Sequence, residues 1–157
     1  MHLQITKNQE ELAPFAKQPI YAPDLKCAAT EQNDLPQLGS FPAGVQQLLP
    51  NTTSQVYFLS TGCNDCIKLT YRLALIQKRI KSKSIFALFY GTPKGLEELL
   101  KAAKLTLPHA LIEDADVFFP LSGAALPAVV NYEKQAPLAR FVGDDASCTC
   151  LDSWYKK

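Results

Sequence analysis

The sequence predicts an α/β domain in which a single mixed β-sheet is covered by helices on both faces. Three observations lead to this prediction. Over residues 55–105, strand-sized apolar segments alternate with stretches whose apolar residues recur at helical spacing. Two further strand-sized segments, 128–132 and 138–142, are separated only by a turn. Residues 1–50 differ from the rest, because they hold six of the 11 prolines and predict an irregular extension.

The first predicted strand is Gln55–Ser60, a continuous apolar segment of the kind that is buried on both faces of a sheet. Thr61 and Gly62 form a turn after it. A helix is predicted over residues 64–81, because apolar side chains recur there every three or four positions. Residues 84–90 predict a second buried strand, and two strands joined through a helix are expected to be parallel.

The remaining elements complete the sheet and its helical layers. An amphipathic helix is predicted over 93–105, a short strand at His109–Ile112 and a short helix over 116–121. The last two strands are expected to pair as an antiparallel hairpin. The domain therefore spans 51–143, and the polar residues 144–157 predict a C-terminal tail.

The N-terminal extension, residues 1–50, is expected to pack on the domain without forming a second core. Short helical pieces are predicted at 8–16 and 41–49, where Ser40 could cap the second helix and Pro42 would lie in its first turn. Between them, the prolines favour extended or turn conformations.

Charge and hydropathy argue against several classes of partner. The 157 residues carry 16 basic and 15 acidic side chains without a basic block, so no nucleic-acid partner is expected. No apolar segment is long enough to predict a membrane-spanning helix. Residues 1–11 lack the apolar core of a signal peptide. The protein is therefore expected to be either cytoplasmic or exported with its leader removed.

The chemistry is expected at Cys63 and Cys66, which form a Cys-x-x-Cys pair where the first strand meets the first long helix. Unpaired amides and the positive end of the helix dipole favour a thiolate at Cys63, and the thiolate is the nucleophile. Cys66, one turn later, could attack a mixed disulfide formed at Cys63. These residues predict a redox-active pair that needs no cofactor beyond its own sulfurs.

Residues 55–143 resemble the thioredoxin-like superfamily. The resemblance depends on the strand before Gly62, the Cys63-Asn64-Asp65-Cys66 motif directly before a helix, and Leu126-Pro127 ahead of a valine-rich hairpin. The insertion Ile112–Ser122, which precedes the segment 123–127, is similar to that of the TlpA-like bacterial thiol–disulfide oxidoreductases.

The resemblance implies a thioredoxin-like mixed sheet and catalytic roles for Cys63 and Cys66. It also implies a cis proline at Pro127, and we assign Leu126 and Pro127 to substrate binding. Protein thiols or disulfides are the implied substrates, a redox protein is the implied partner, and an exported, periplasmic location is favoured over a cytoplasmic one.

The sequence departs from the family pattern around the cysteine pair. Gly62 replaces the tryptophan usual in thioredoxins, and the first strand contains no buried acid. Asp65 places a negative charge near Cys63, which opposes formation of the thiolate. A less stable thiolate means a more stable disulfide, so a reducing pair is expected in preference to an oxidising one.

Three further cysteines, Cys27, Cys148 and Cys150, are candidates for a structural disulfide. A bridge from Cys27 to either of the others would join the extension to the tail and indicate an oxidising compartment.

Two alternatives to a redox enzyme remain. The chain could be a non-catalytic binding module in which Cys63 and Cys66 form a structural disulfide. It could also bind a metal, for example zinc, although no metal site is expected from the spacing of the cysteines.

Overall fold

The computed structural model describes residues 27–30, 34–79 and 84–156. A single five-stranded sheet lies at its centre, with the strand order β3-β2-β1-β4-β5. The strands are β1 (Gln55–Ser60), β2 (Ile85–Tyr90), β3 (His109–Ile112), β4 (Ala128–Glu133) and β5 (Ala136–Val142). β1, β2 and β3 are parallel to one another, whereas β4 is antiparallel to both β1 and β5. The predicted mixed sheet is confirmed.

Helices cover both faces of this sheet, as predicted. They are α1 (Ala43–Gln46), α2 (Asn64–Ile76), α3 (Pro93–Ala103), α4 (Ala115–Ser122) and α5 (Asp144–Lys156), with a 3₁₀ turn at Leu38–Ser40 before α1. The predicted helix over 41–49 is therefore shortened to α1, and Pro42 is its N-cap residue. The helical piece predicted at 8–16 lies outside the described residues.

α2 ends at Ile76, earlier than its apolar periodicity predicts. Gln77, the residue after the helix, is held by its side chain. Its Nε2 donates to the carbonyl of Lys104 over 2.7 Å, and its Oε1 accepts from the amide of Thr106 over 2.6 Å. The end of the helix is thereby joined to the connection between α3 and β3.

The sheet separates two apolar clusters, one on each face. Along β1, Tyr57 and Leu59 point into one cluster, and Val56 and Phe58 point into the other. All four side chains are 0 % exposed, which explains why β1 is an uninterrupted apolar run. Residues of α2, α3 and α5 complete the first cluster, and residues of α1 and α4 complete the second.

Residues 144–156 form the helix α5, where the sequence predicted a polar tail. Ala146 and Cys150 are 0 % and 2 % exposed and lie one helical turn apart, so both face the same apolar cluster as α2. These contacts with the domain stabilise the helix. The sequence did not predict it, because residues 144–156 are too polar to indicate a helix by propensity alone.

Candidate active site

The candidate active site begins at the corner between β1 and α2. The amide of Thr61 donates to the carbonyl of Tyr90 over 3.0 Å, which extends the β1–β2 pairing by one residue. The amides of Gly62 and Cys63 then turn back onto Ser60, to its hydroxyl over 3.2 Å and its carbonyl over 3.3 Å. This turn places Cys63 at the N-cap of α2, in an extended backbone conformation.

The two cysteines of the motif differ in exposure. Cys63 is half-buried and Cys66 is fully buried, and both are free thiols. The amide of Cys66 donates a hydrogen bond to the sulfur of Cys63 over 3.2 Å. The sulfur of Cys63 thus caps the N-terminus of α2, and Cys63 is the one of the two residues that remains partly exposed.

The environment of Cys66 favours its neutral thiol. Burial is the largest cause, and it raises the pKa of Cys66 well above the usual value for a cysteine. The neighbouring sulfur of Cys63 and the negative charge of Asp65 raise this pKa further, and a backbone contact with Ser60 acts in the opposite direction. Cys66 is therefore a poor nucleophile while it stays buried.

Leu126 and Pro127 lie at the same end of the sheet as Cys63. β4 is antiparallel to β1, and Ala128 pairs with Phe58 near the carboxyl end of β1. The peptide bond from Leu126 to Pro127 is cis. Leu126 is partly buried against both apolar clusters. Cys63, Cys66, Leu126 and Pro127, the four residues that the sequence assigned to catalysis and substrate binding, therefore lie at the same end of the sheet.

Two residues that the sequence analysis did not single out hold the loop before β4. The amide of Gly143 donates to the carbonyl of Pro127 over 2.8 Å. The guanidinium of Arg140 donates from Nη2 to the carbonyl of Leu121 over 3.2 Å. Arg140 also lies against Gly123, where a Cβ would be 3.4 Å from Nη1. Sequence spacing carries no signal for these contacts, because they join β5 and the residue after it to the end of α4 and to the loop that precedes β4.

The other three cysteines lie away from the motif. Cys148 and Cys150 are on α5, and Cys27 is in the short described segment 27–30. Cys27 and Cys148 form a disulfide with their Cα atoms 5.6 Å apart. Cys150 is a free thiol, and complete burial raises its pKa to about 12. A zinc site built from Cys63, Cys66, Cys148 and Cys150 would have to use a sulfur that is already bonded to Cys27.

Within the described ranges, no three His, Cys, Asp or Glu side chains are grouped so that they could hold a metal ion. Nor does this part of the chain contain a helix long and apolar enough to cross a membrane.

Several solved structures share this architecture. A secreted disulfide oxidoreductase of Mycobacterium tuberculosis, homologous to E. coli DsbE, superposes with a TM-score of 0.57 at 12% identity, over 71% of this chain and 85% of that chain. The thioredoxin domain of a thiol-disulfide oxidoreductase from Bacteroides vulgatus gives 0.52 at 19% identity, over 63% and 77%. The chain has the thioredoxin fold.

A thioredoxin-family thiol:disulfide interchange protein from Chlorobium tepidum is similar in the same way. Its TM-score is 0.54 at 14% identity, over 70% of this chain and 81% of that chain. No family model matches the sequence, and no curated protein does. The solved structures thus confirm the resemblance to the thioredoxin-like superfamily at the level of the fold. In this fold, Cys63 and Cys66 lie at a strand–helix corner.

Proposed function

We propose that this protein is a thiol–disulfide oxidoreductase that acts on protein substrates through Cys63 and Cys66. The observation that supports this most is the arrangement of the two sulfurs. Cys63 is half-buried and accepts a hydrogen bond from a helix amide, whereas Cys66 is fully buried behind it. A helix amide favours negative charge on the sulfur that it contacts.

The arrangement supports a two-step exchange. The Cys63 thiolate attacks one sulfur of a substrate disulfide, a mixed disulfide forms, and the other substrate sulfur leaves as a thiolate and takes up a proton. Cys66 then loses its proton and attacks Cys63, which releases the second substrate sulfur. Two electrons have passed from the cysteine pair to the substrate, and Cys63 and Cys66 are joined by a disulfide. In reverse, the same steps oxidise a substrate dithiol.

Leu126 and Pro127 are proposed to bind the substrate backbone beside Cys63. Their position at the carboxyl end of β1 and the partial exposure of Leu126 support this role. The reaction needs no cofactor, and a second redox protein is proposed to restore the pair after each turnover.

The direction of electron transfer is proposed to be reducing. Asp65 lies exposed in the first turn of α2, where its negative charge raises the pKa of Cys66 and so disfavours a thiolate there. The disulfide of the pair is then the more stable state. An exported, periplasmic location is proposed as well, because the Cys27–Cys148 bridge is of the kind that persists in oxidising compartments.

Reduction of a protein disulfide such as that of insulin, with dithiothreitol as the electron source, tests the proposal. We expect the wild-type protein to accelerate the reaction and Cys63→Ser to abolish the acceleration. Cys150→Ala is the matched control, because it removes a buried thiol outside the pair. If Cys63→Ser is as active as the wild type, or if the Cys63–Cys66 disulfide resists reduction in the folded protein, the alternative of a structural disulfide is correct.

A further inference from the structure

The segment 27–30 is attached to the domain at three points within four residues. Cys27 is bonded to Cys148, and the amide of Ala28 donates to Oδ1 of Asp145 over 3.1 Å. Thr30 donates twice to the carbonyl of Arg140, from its amide over 2.7 Å and from its hydroxyl over 3.0 Å. The contacts are therefore made with the first part of α5 and with β5, an edge strand of the sheet.

Arg140 connects this segment to the loop 123–127, which we name the active-site loop. Its carbonyl receives both bonds from Thr30, and its guanidinium holds the carbonyl of Leu121 just before the loop. The same guanidinium lies against Gly123, the first residue of the loop. Arg140 is thus in contact with the disulfide-anchored segment through its main chain and with the entrance to the active-site loop through its side chain.

The other end of the loop is held by the same region of the molecule. The Gly143 amide binds the carbonyl of Pro127, and the Gly143 carbonyl accepts from Ala146 and Ser147, at 3.1 and 3.2 Å, in the first turn of α5. Cys148 follows directly in this helix. Both ends of the active-site loop are therefore held by residues that contact either the segment 27–30 or the first turn of α5, and the Cys27–Cys148 bridge joins that segment to α5.

We propose that Arg140 is a positioning residue for the active-site loop, and that the disulfide-anchored segment 27–30 determines how firmly Arg140 is held. The inference rests on the proposed function, since it assumes that Leu126 and Pro127 bind the substrate. It adds that substrate binding depends on a disulfide other than the catalytic one. When a dithiol reduces the Cys27–Cys148 bridge, the dithiol is oxidised to its own disulfide, and Cys27 and Cys148 become free thiols. The active-site loop is then held less firmly.

Steady-state kinetics with a protein disulfide substrate test this role in the full chain, at a dithiothreitol concentration that leaves the Cys27–Cys148 bridge of the wild type intact. The variants are Arg140→Lys, which keeps the charge but loses the planar donor group, and the double variant Cys27→Ser with Cys148→Ser. We expect KM to rise about tenfold in Arg140→Lys, the factor that corresponds to the loss of one hydrogen bond to a charged donor, with little change in kcat. The alkylation rate of Cys63 by iodoacetamide is expected to stay at the wild-type value.

Leu138→Ser is the matched control, because Leu138 lies on the same strand and its side chain is exposed. If the double variant does not fold, Thr30→Pro replaces it, since this substitution removes both donors to Arg140 from an exposed residue. We expect Thr30→Pro to raise KM, as Arg140→Lys does. Unchanged KM values in the folded variants, or equal increases in Leu138→Ser, would overturn the proposal while leaving the proposed function intact.

Amide hydrogen exchange at Gly143 gives a second readout that needs no turnover. We expect this amide to exchange faster in Arg140→Lys and in the double variant than in the wild type. Faster exchange in a protein that shows no reductase activity would support the positioning of the loop and contradict the proposed function. Equal exchange in all variants would overturn the positioning role, whatever the activity.

Discussion

The backbone amide of Cys66 donates a hydrogen bond to the sulfur of Cys63 over 3.2 Å, so the two cysteines are connected even as free thiols. Cys63 is the N-cap of α2, and Cys66 is the third residue of the helix. An N-cap side chain ordinarily accepts from the amide of the second or third helical residue. The two-residue spacing of the motif therefore matches the geometry of a helix cap, with a sulfur in place of the usual oxygen.

Alkylation of the fully reduced protein near neutral pH should modify Cys63 faster than Cys66. Cys63 is half-buried and contacts a helix amide, whereas burial raises the pKa of Cys66 and keeps it protonated. Peptide mapping after brief treatment with iodoacetamide measures the ratio. Preferential modification of Cys66 would exclude Cys63 as the attacking residue.

The reduction potential of the Cys63–Cys66 pair should lie in the reducing half of the thioredoxin-fold range, which runs from about −270 mV to about −120 mV. Asp65→Asn removes a negative charge that disfavours the thiolate of Cys66, so it stabilises the reduced pair and we expect it to raise the potential. An exposed charge contributes up to ~1 kcal/mol and 30 mV corresponds to about 1.4 kcal/mol, which gives a shift of about 10–20 mV.

Equilibration with glutathione buffers measures both values. Glu133→Gln is the control, because Glu133 is exposed at the end of β4 that is remote from Cys63. A wild-type potential at the oxidising end of the range would contradict the proposed direction. A potential that is the same in Asp65→Asn and in wild type would show that the charge of Asp65 has no influence.

Cys150 should make the protein less stable at alkaline pH. An unfolded cysteine loses its proton near about pH 8.5, whereas burial raises the pKa of Cys150 to about 12. Between these values the folded state binds the additional proton, so the free energy of unfolding falls as pH rises. Between about pH 8 and about pH 10, we expect the wild type to lose about 2 kcal/mol more than Cys150→Ala. Urea unfolding at both pH values measures this, and equal losses would refute it.

Gly123→Ala should destabilise the fold. Gly123 has φ +83° and ψ 173°, a conformation that costs other residues about 1–3 kcal/mol. An added Cβ would also be 3.4 Å from the guanidinium of Arg140. Urea unfolding measures the loss, with Gly39→Ala as control because no atom lies within 4 Å of its added Cβ. A loss no greater than that of the control would show that the loop adapts to the side chain.

The centre of the sheet was predictable because β1 and β2 are buried on both faces. Such strands are read directly as uninterrupted apolar runs, and the bounds of β1 and β3 agree with the sequence prediction. The position of Cys63 was predictable for a related reason, since the turn at Thr61 and Gly62 separates a clear strand from a clear helix.

The helix α5 and the attachment of the active-site loop were not predictable in this way. α5 is helical because Ala146 and Cys150 pack into the core, and this packing depends on the completed sheet. The contact between Thr30 and Arg140 joins residues 110 positions apart. Periodicity and turn signals report on neighbouring residues, so contacts of this kind leave no local pattern in the sequence.

The Cys27–Cys148 bridge spans 121 positions and turns most of the domain into a covalent ring. A protease that cuts one peptide bond between these two residues would open the ring without dividing the molecule. The nicked protein, heavier by the water that the cleavage adds, would remain one covalent molecule until a reductant separates the two fragments. The bridge therefore gives the domain a tolerance of single backbone cuts that its strands and helices alone would not provide.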